Sequence, residues 1–310
     1  MTAETITEAA AERMETPGTG IDVSVVIPVY NEDEVVGRTL EKLLEEFAAK
    51  PEMTFEIIIV DDGSTDSSAD SVREFAHPAV RLVSHPYNIG NGAAIKTGIR
   101  NARGRYMVMM DADGQHQPSD VFRLLEFAEQ YDMVVGARKN RSNMSLHRMV
   151  ANSIYDIFAG YICGCTIEDL TSGFRLIRTE VASNFVYLLP NTFSYPATLT
   201  LAVLRAGYSL KYTPISNQKR VGKSKIRLLT DGVRFLMIIL RIGVFFSPLK
   251  VFLPLSALLF GSGFVWYLYR HFIVGKGFPP ASSLLMITSV VIFCIGLISE
   301  QIAFLRYERK

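Results

Sequence analysis

Between Val23 and Ala137, short runs rich in Val, Ile and Met alternate with longer amphipathic stretches, and the joins between them are brief. Val23–Tyr30, Phe55–Val60, Val80–Ser84, Tyr106–Met110 and Met133–Ala137 have the length and apolar content of buried strands. Helical patterns fill the gaps: Asn31 to about Ala49, the stretch after Asp66 to about Phe75, the stretch that the glycine-rich turn Asn88–Gly98 leads into, and the stretch from Pro118. The first of these shows the spacing best, with Val35, Leu40, Leu43, Leu44 and Phe47 on one helical face. Strand and helix in alternation with short joins point to an α/β fold, a mostly parallel sheet with helices on both faces. In such a sheet ligands bind beyond the carboxyl ends of the strands, so the residues just past each run carry the functional information.

One run, Tyr106-Met-Val-Met-Met110, stops at two carboxylates one residue apart, Asp111 and Asp113. Gln115 follows, and Pro118 opens the next helical pattern. Alternate carboxylates at this place offer hard oxygen ligands to a divalent cation, and the Gln115 carboxamide oxygen adds a third. Mg²⁺ or Mn²⁺ held in this way commonly shares its coordination with substrate phosphates. The other reading of the same residues is a turn whose carboxylates cap the following helix.

Past Ala137 the alternation lapses. Ser145 to Ile162 reads as one helix, Glu168-Asp-Leu-Thr-Ser-Gly-Phe-Arg175 follows, and Lys211–Ile215 reads as a last strand. Lys219-Arg-Val-Gly-Lys-Ser-Lys225 is a basic, glycine-containing loop. From Ile226 to Phe246 an apolar helix carries Arg227, Arg234 and Arg241 seven residues apart, a spacing that keeps them on roughly one side and suits a membrane surface. Leu249–Tyr269 and Ala281–Leu305 are each long and apolar enough to cross about 30 Å of hydrocarbon. The organisation expected is a loose tail over 1–20, a catalytic domain over 21–225, an interfacial helix over 226–247 and a transmembrane hairpin over 248–310. Basic residues outside the two spans favour both termini in the cytoplasm, although Arg270 and Lys276 in the turn blunt the bias.

Composition removes other classes. A formal net charge of +1 gives no bulk field for nucleic acid. Cys163, Cys165 and Cys294 lack the second pair that a zinc site needs and read as reduced, mostly packed thiols. The first twenty residues have no apolar core, which excludes a secretory signal peptide. Gly222-Lys223-Ser224 lacks the first glycine of a phosphate-binding P-loop, since Asn217 stands there, and the spacing of Gly90, Gly92 and Gly98 fails the dinucleotide fingerprint.

Four motifs then follow in order: Val26-Ile-Pro-Val-Tyr-Asn-Glu32, Val60-Asp-Asp-Gly-Ser-Thr-Asp66, Asn88-x-Gly-x-Gly92 and Asp111-Ala-Asp-Gly-Gln115. Together they resemble the signature of inverting family 2 glycosyltransferases with a Rossmann-like GT-A fold. The Glu168–Arg175 stretch, the basic loop and the hairpin narrow the resemblance to the branch containing dolichyl-phosphate mannose synthase and bacterial polyprenyl-phosphate glycosyltransferases. It covers Asp22 to about Arg227 well and the hairpin in kind only.

The resemblance implies transfer of one sugar from a nucleotide-diphosphate sugar, of the GDP-mannose or UDP-glucose type, to a dolichyl- or undecaprenyl-type phosphate at a bacterial plasma membrane. By the same token Pro28, Tyr30, Glu32, Asp61 and Asp62 line the nucleotide pocket together with Asp111. Asp111, Asp113 and Gln115 hold Mg²⁺ or Mn²⁺, and Asp113 and Asp169 are the catalytic pair. Glu32 and Asp66 are equally well read as helix caps. A lipid phosphate is already largely ionised near neutral pH, so a cationic cradle matters more than a strong base. Arg138, Arg148, Arg220, Lys223 and Lys225 are the candidates for that cradle. The alternative acceptor is another membrane lipid, such as diacylglycerol or a ceramide, for which Asp169 would serve as base. No Gln-x-x-Arg-Trp motif of processive polymerising relatives is present, which favours a single transfer. No nucleic-acid partner is expected, and a homo-oligomer is compatible with the sequence.

Overall fold

The computed structural model describes residues 20–138 apart from Ala76, 146–215 apart from Phe193, a few positions between 237 and 245, and 247–307 apart from Lys276. Arg220, Lys223, Lys225 and most of the expected interfacial helix lie outside the described residues, as does the side chain of Arg148. The chain divides into two compact units, one of residues 1–140, 172–195 and 208–223, the other of residues 141–171, 196–207 and 224–310.

The first unit is built on a seven-stranded sheet. Its strands are β1 (Val23–Val29), β2 (Phe55–Asp61), β3 (Val80–Ser84), β4 (Tyr106–Met109), β5 (Met133–Arg138), β6 (Arg175–Arg178) and β7 (Leu210–Ile215), in the order β3-β2-β1-β4-β6-β5-β7. All pairings are parallel except those of β6, which runs against both β4 and β5. The crossovers are α1 (Asp33–Ala48), α2 (Ser68–Glu74), α3 (Asn91–Asn101) and α4 (Asp120–Leu125), and α6 (Thr179–Phe185) follows β6.

β1 and β2 are buried along nearly their whole length because helices cover both faces, which is why they read as unbroken apolar runs. Ile27, Ile57 and Ile59 are fully buried, and each such side chain contributes about 1.5–3 kcal/mol relative to exposure. α1 presents Val36, Leu40, Leu43 and Phe47 to this core, and Phe47 stacks on Phe55 at 4.2 Å between ring centroids. α3 approaches β1 closely. A Cβ at Gly98 would fall inside the Val26 side chain, so only glycine permits this spacing.

In the second unit, α5 (Leu146–Cys163) and α7 (Tyr195–Arg205, whose first residue belongs to the first unit) accompany a hairpin of α8 (Pro248–Phe272) and α9 (Pro280–Tyr307). Gly263 meets Leu285 and Met286, and Gly296 meets Phe252, so small residues let the two hairpin helices pack together. Glu300 Oε2 accepts the Leu249 N–H at 3.0 Å, satisfying a donor of the first turn of α8. Lys250 Nζ donates to the carbonyls of Tyr161 (3.2 Å) and Ile162 (2.9 Å), capping the carboxyl end of α5.

The hairpin helices are apolar throughout, with mean hydropathy of 1.7 and 2.4 over their most apolar windows. Leu258, Val265, Leu284 and Ile287 are all exposed. Two helices this long, with apolar side chains turned outward, match a hydrocarbon environment rather than a protein core. Each is slightly longer than the span expected from the sequence, and Arg270 and His271 are still helical at the end of α8.

Candidate active site

The strand order of the first unit reverses between β1 and β4: β2 and β3 lie to one side, and the chain then crosses to build the other. The carboxyl ends of β1 and β4 therefore flank a topological switch point, where open α/β sheets form their binding crevice. Tyr30, Asn31 and Glu32 follow β1, and Asp111 and Asp113 follow β4.

At the β1 end, Asn31 adopts a left-handed conformation with φ 55°. Its Oδ1 accepts the Thr65 N–H at 2.8 Å, and its own N–H donates to Ser64 Oγ at 3.1 Å. The Glu32 N–H donates to Ser68 Oγ at 2.9 Å. Asp66 Oδ1 takes the Ser68 N–H at 3.0 Å and the Ser68 hydroxyl at 2.6 Å, and the Asp33 N–H points to Oδ2 at 3.4 Å. Partial burial opposes ionisation of Asp66, but these donors outweigh it and hold the carboxyl below its ordinary value. Asp66 thus acts in the cap that joins the starts of α1 and α2.

β2 ends at Asp61 and Asp62 follows it, both buried. Asp61 Oδ1 accepts the Ser64 N–H at 3.0 Å, closing the turn through Gly63. Asp62 is turned toward the Asn88–Gly92 turn, where it accepts backbone N–H groups from Ile89 and Gly90. Within that turn, Gly90 and Gly92 lie so close to the carbonyls of Pro190, Asn191 and Thr192 that a Cβ at either would collide. The Ala93 N–H donates to Asn191 O at 3.2 Å, and Lys96 pairs with the Asn191 side chain.

In the turn after β4, Ala112 is buried while Asp111, Asp113 and Gln115 are partly exposed. Asp113 Oδ1 accepts the Gln115 N–H at 3.2 Å, and Gly114 takes a positive φ of 70°. His116 stacks on Phe174 with ring centroids 4.8 Å apart, docking the loop against the start of β6. That start is held in turn by the Ser172 hydroxyl, which donates to Gly136 O at 2.6 Å. A Cβ at Gly173 would stand 2.7 Å from Asp111 Oδ2 and 3.4 Å from Tyr195 Oη, so Gly173 is the floor beneath the Asp111 carboxylate. Burial, then the Asp111 charge, raise the Tyr195 phenol above its ordinary range, while the Arg175 guanidinium pulls the other way. Arg175, 0% exposed, donates to the Ser172 carbonyl.

The residues present fit a hard divalent cation. Two carboxylates and a carboxamide lie within one partly exposed turn, and glycine keeps the space beside Asp111 open. Among the described residues no cluster of three or more His, Cys, Asp and Glu forms, so further oxygens would have to come from Gln115, water or a phosphate-bearing substrate.

Of the other residues singled out in the sequence, Pro28 lies within β1 and pairs with Val60, and Arg138 closes β5 at the same carboxyl edge as Asp61. Asp169 belongs to the second unit, where it is buried and its Oδ1 accepts the Thr171 N–H and hydroxyl at 3.2 and 3.1 Å. The adjacent Leu170 N–H donates to Asp156 on α5 at 3.1 Å. The sequence assigned no role to Gly173, Arg175, Tyr195 or His85. The first two stand in a stretch already noted for its motif, whereas His85 carries no local signal at all.

Residues 24–185, more than half of the chain, match glycosyl transferase family 2, and residues 247–305 match the GtrB C-terminal hairpin. The chain is a family 2 glycosyltransferase. This glycosyltransferase is 28% identical over 312 residues to dodecaprenyl-phosphate galacturonate synthase of Rhizobium johnstonii, an alignment covering 94% of this chain and 90% of the relative. It is 35% identical over 200 residues to the undecaprenyl-phosphate 4-deoxy-4-formamido-L-arabinose transferase of Pectobacterium atrosepticum, covering 60% of each. Its fold resembles that of glucosyl-3-phosphoglycerate synthase from Mycobacterium tuberculosis, solved with Mn²⁺, UDP and glucosyl-3-phosphoglycerate. There the TM-score is 0.58 at 18% identity, over 78% of this chain and 85% of the other. The GT-A architecture read from the motifs is thus the one observed.

Proposed function

We propose that this glycosyltransferase moves one sugar from a nucleotide-diphosphate sugar to a polyprenyl phosphate, with inversion at the anomeric carbon. One observation carries the proposal: the Asp111–Gln115 turn sits at the switch point of the sheet in a chain that also ends in an apolar hairpin. The names of the relatives in R. johnstonii and P. atrosepticum support a polyprenyl-phosphate acceptor.

In this reading Pro28, Tyr30, Glu32, Asp61 and Asp62 line the nucleoside end of the donor site. Asp111, Asp113 and Gln115 would hold Mg²⁺ or Mn²⁺. When bound, the ion neutralises charge that builds on the departing diphosphate. A phosphate oxygen of the carrier attacks the anomeric carbon from the face opposite the leaving group. The bond from that carbon to the nucleoside diphosphate breaks as the new carbon–oxygen bond forms. Both substrates are anionic, so Arg138, Arg148, Arg220, Lys223 and Lys225 are assigned to offset their repulsion at the acceptor phosphate. Asp169 is the residue the family pattern assigns to the reacting sugar. The hairpin anchors the enzyme where the carrier resides, with both termini assigned to the cytoplasm.

Membranes containing the full-length protein, supplied with polyprenyl phosphate and radiolabelled UDP- and GDP-sugars in turn, test this directly. The expected result is label in the organic phase that mild acid releases as free sugar, since a glycosyl phosphate is acid-labile. An acid-stable glycolipid would mean an alcohol acceptor instead, and label that never leaves the aqueous phase would overturn the proposal.

A further inference from the structure

The acidic end of β2 is tied to the glycine-rich turn by a histidine that the chemistry above does not use. The Asp62 side chain is 3% exposed and that of His85 10%. Asp62 Oδ1 lies 2.7 Å from His85 Nδ1 and accepts the Ile89 N–H at 3.1 Å, while Oδ2 accepts the Gly90 N–H at 2.7 Å. His85 is itself held at two further points. Its Nε2 lies 2.9 Å from Thr97 Oγ1 on α3, and its backbone N–H donates to Asp61 O at 2.8 Å. A carboxylate only accepts, so Nδ1 is the ring nitrogen that presents a proton to Asp62, and Nε2 meets the Thr97 hydroxyl.

The Asp62 carboxylate is enclosed, with three donors on two oxygens. Its influence on the donor passes through the backbone it holds. That backbone is shared with the Asp61–Ser64 loop, because a Cβ at Gly63 would stand 2.6 Å from Tyr87 Cα. The loop and the turn are packed main chain to main chain, so a shift in one is a shift in the other.

We infer that His85 is a positioning residue for donor binding: by holding Asp62 against the Ile89 and Gly90 amides, it fixes the shape of the Asp61–Ser64 loop. The inference rests on the reading of that loop as the nucleoside end of the donor site. Removing the imidazole leaves a buried charge short of a donor. The carboxylate then gains by moving toward water, and the turn moves with it.

The test uses purified full-length enzyme in detergent and compares wild type with His85→Ala, His85→Asn, Thr97→Val and Tyr30→Ala. Asparagine keeps an N–H near the position of Nδ1, so it is the conservative variant. For each, KM for the sugar nucleotide, kcat, affinity for UDP and GDP in the presence of Mn²⁺, and the thermal midpoint are measured. His85→Ala is expected to raise donor KM and nucleotide Kd about tenfold, the scale on which outer groups tune a site, with kcat nearly unchanged. His85→Asn is expected to restore most of the affinity, and Thr97→Val to lose part of it. A lowered midpoint with unchanged KM and Kd in His85→Ala would make the residue merely structural and overturn the inference. If His85→Ala does not accumulate as folded protein, Thr97→Val decides, and an unchanged donor KM there overturns it equally. Tyr30→Ala separates the two levels of the argument. Weakened donor binding in Tyr30→Ala but not in His85→Ala removes this inference alone, whereas no change in either removes the nucleoside site as read.

Discussion

At the scale of single residues, the turn after β4 divides its labour between side chains that are partly exposed and a glycine that makes room for them. Asp113 is partly exposed and accepts the Gln115 N–H within its own turn, so its removal disturbs little packing. Asp113→Ala should therefore keep the wild-type thermal midpoint while transfer falls about 100- to 1,000-fold, the cost of one preorganised charge-stabilising group. A Mn²⁺ titration of the variant should show the matching loss of metal affinity, and full activity in the presence of EDTA would sink the assignment. Gly173 makes the complementary case. Its φ is not positive, so alanine is allowed by the backbone, yet the added Cβ would stand 2.7 Å from Asp111 Oδ2. Gly173→Ala should cost activity and Mn²⁺ affinity about 10- to 100-fold, because the Asp111 carboxylate must give way. An unchanged Mn²⁺ affinity would show that Asp111 adjusts without consequence. Of the three thiols expected to be mostly packed, Cys163 is half-buried and Cys165 and Cys294 are exposed. Burial, with a smaller contribution from Cys165, pushes the Cys163 thiol up to about 12, against the opposing pull of Arg205 and Lys250. Thiolate is the reactive form, and burial disfavours it, so Cys163 should resist maleimide in the native protein at pH 8 and react once the protein is unfolded. Native labelling of Cys163 at that pH would contradict this.

Elements were more legible than the contacts between them. Period and turn chemistry are local, so Val80–Ser84 was read with its observed bounds, and Lys211–Ile215 fell one residue short of β7. The helix expected from Pro118 is only Asp120–Leu125. The loop is long there because His116 must reach Phe174, a contact that no local pattern announces. The reversal of β6 was likewise invisible: a run of four residues carries no sign of direction. At the site, the acidic strand ends were readable because carboxylates after apolar runs are conspicuous. The clasp of Asp62 by His85 was not, since 23 residues separate them and only the crossover brings them together. The same holds for the approach of α3 to β1, which makes a direct test of element packing. Gly98→Ala should destabilise the sheet unit by about 1–3 kcal/mol through overpacking against Val26. Val26→Ala alone leaves a cavity, but the double variant should recover part of both losses. A denaturation cycle should show a coupling of at least about 0.5 kcal/mol, and strictly additive losses would mean that α3 has shifted away from β1.

For the whole molecule the question is how much of the reaction belongs to the sheet and how much to the anchor. The first unit holds β1 to β7, the Asp111–Gln115 turn and the Asp61–Ser64 loop, and its own residues form a buried apolar cluster. The second unit groups α5 with the hairpin, and Lys250 at the start of α8 caps α5 through the carbonyls of Tyr161 and Ile162. A chain ending after Arg241 loses both spans and this cap together. Its sheet should survive, so UDP or GDP with Mn²⁺ should bind with nearly wild-type affinity. Its α5 should fray at the carboxyl end, which hydrogen exchange at residues 157–163 would register as faster amide exchange. Transfer to a long-chain polyprenyl phosphate in bilayers should fall at least about tenfold, since the enzyme no longer concentrates where the carrier lies. Transfer to a short, water-soluble prenyl phosphate should fall much less. The comparison of the two acceptors is the informative measurement. Equal losses on both would mean that the hairpin shapes the catalytic geometry itself rather than presenting the carrier. Undiminished turnover of the bilayer-embedded carrier would show that the hairpin is dispensable for meeting it. Loss of nucleotide binding would show that the sheet depends on the second unit to fold.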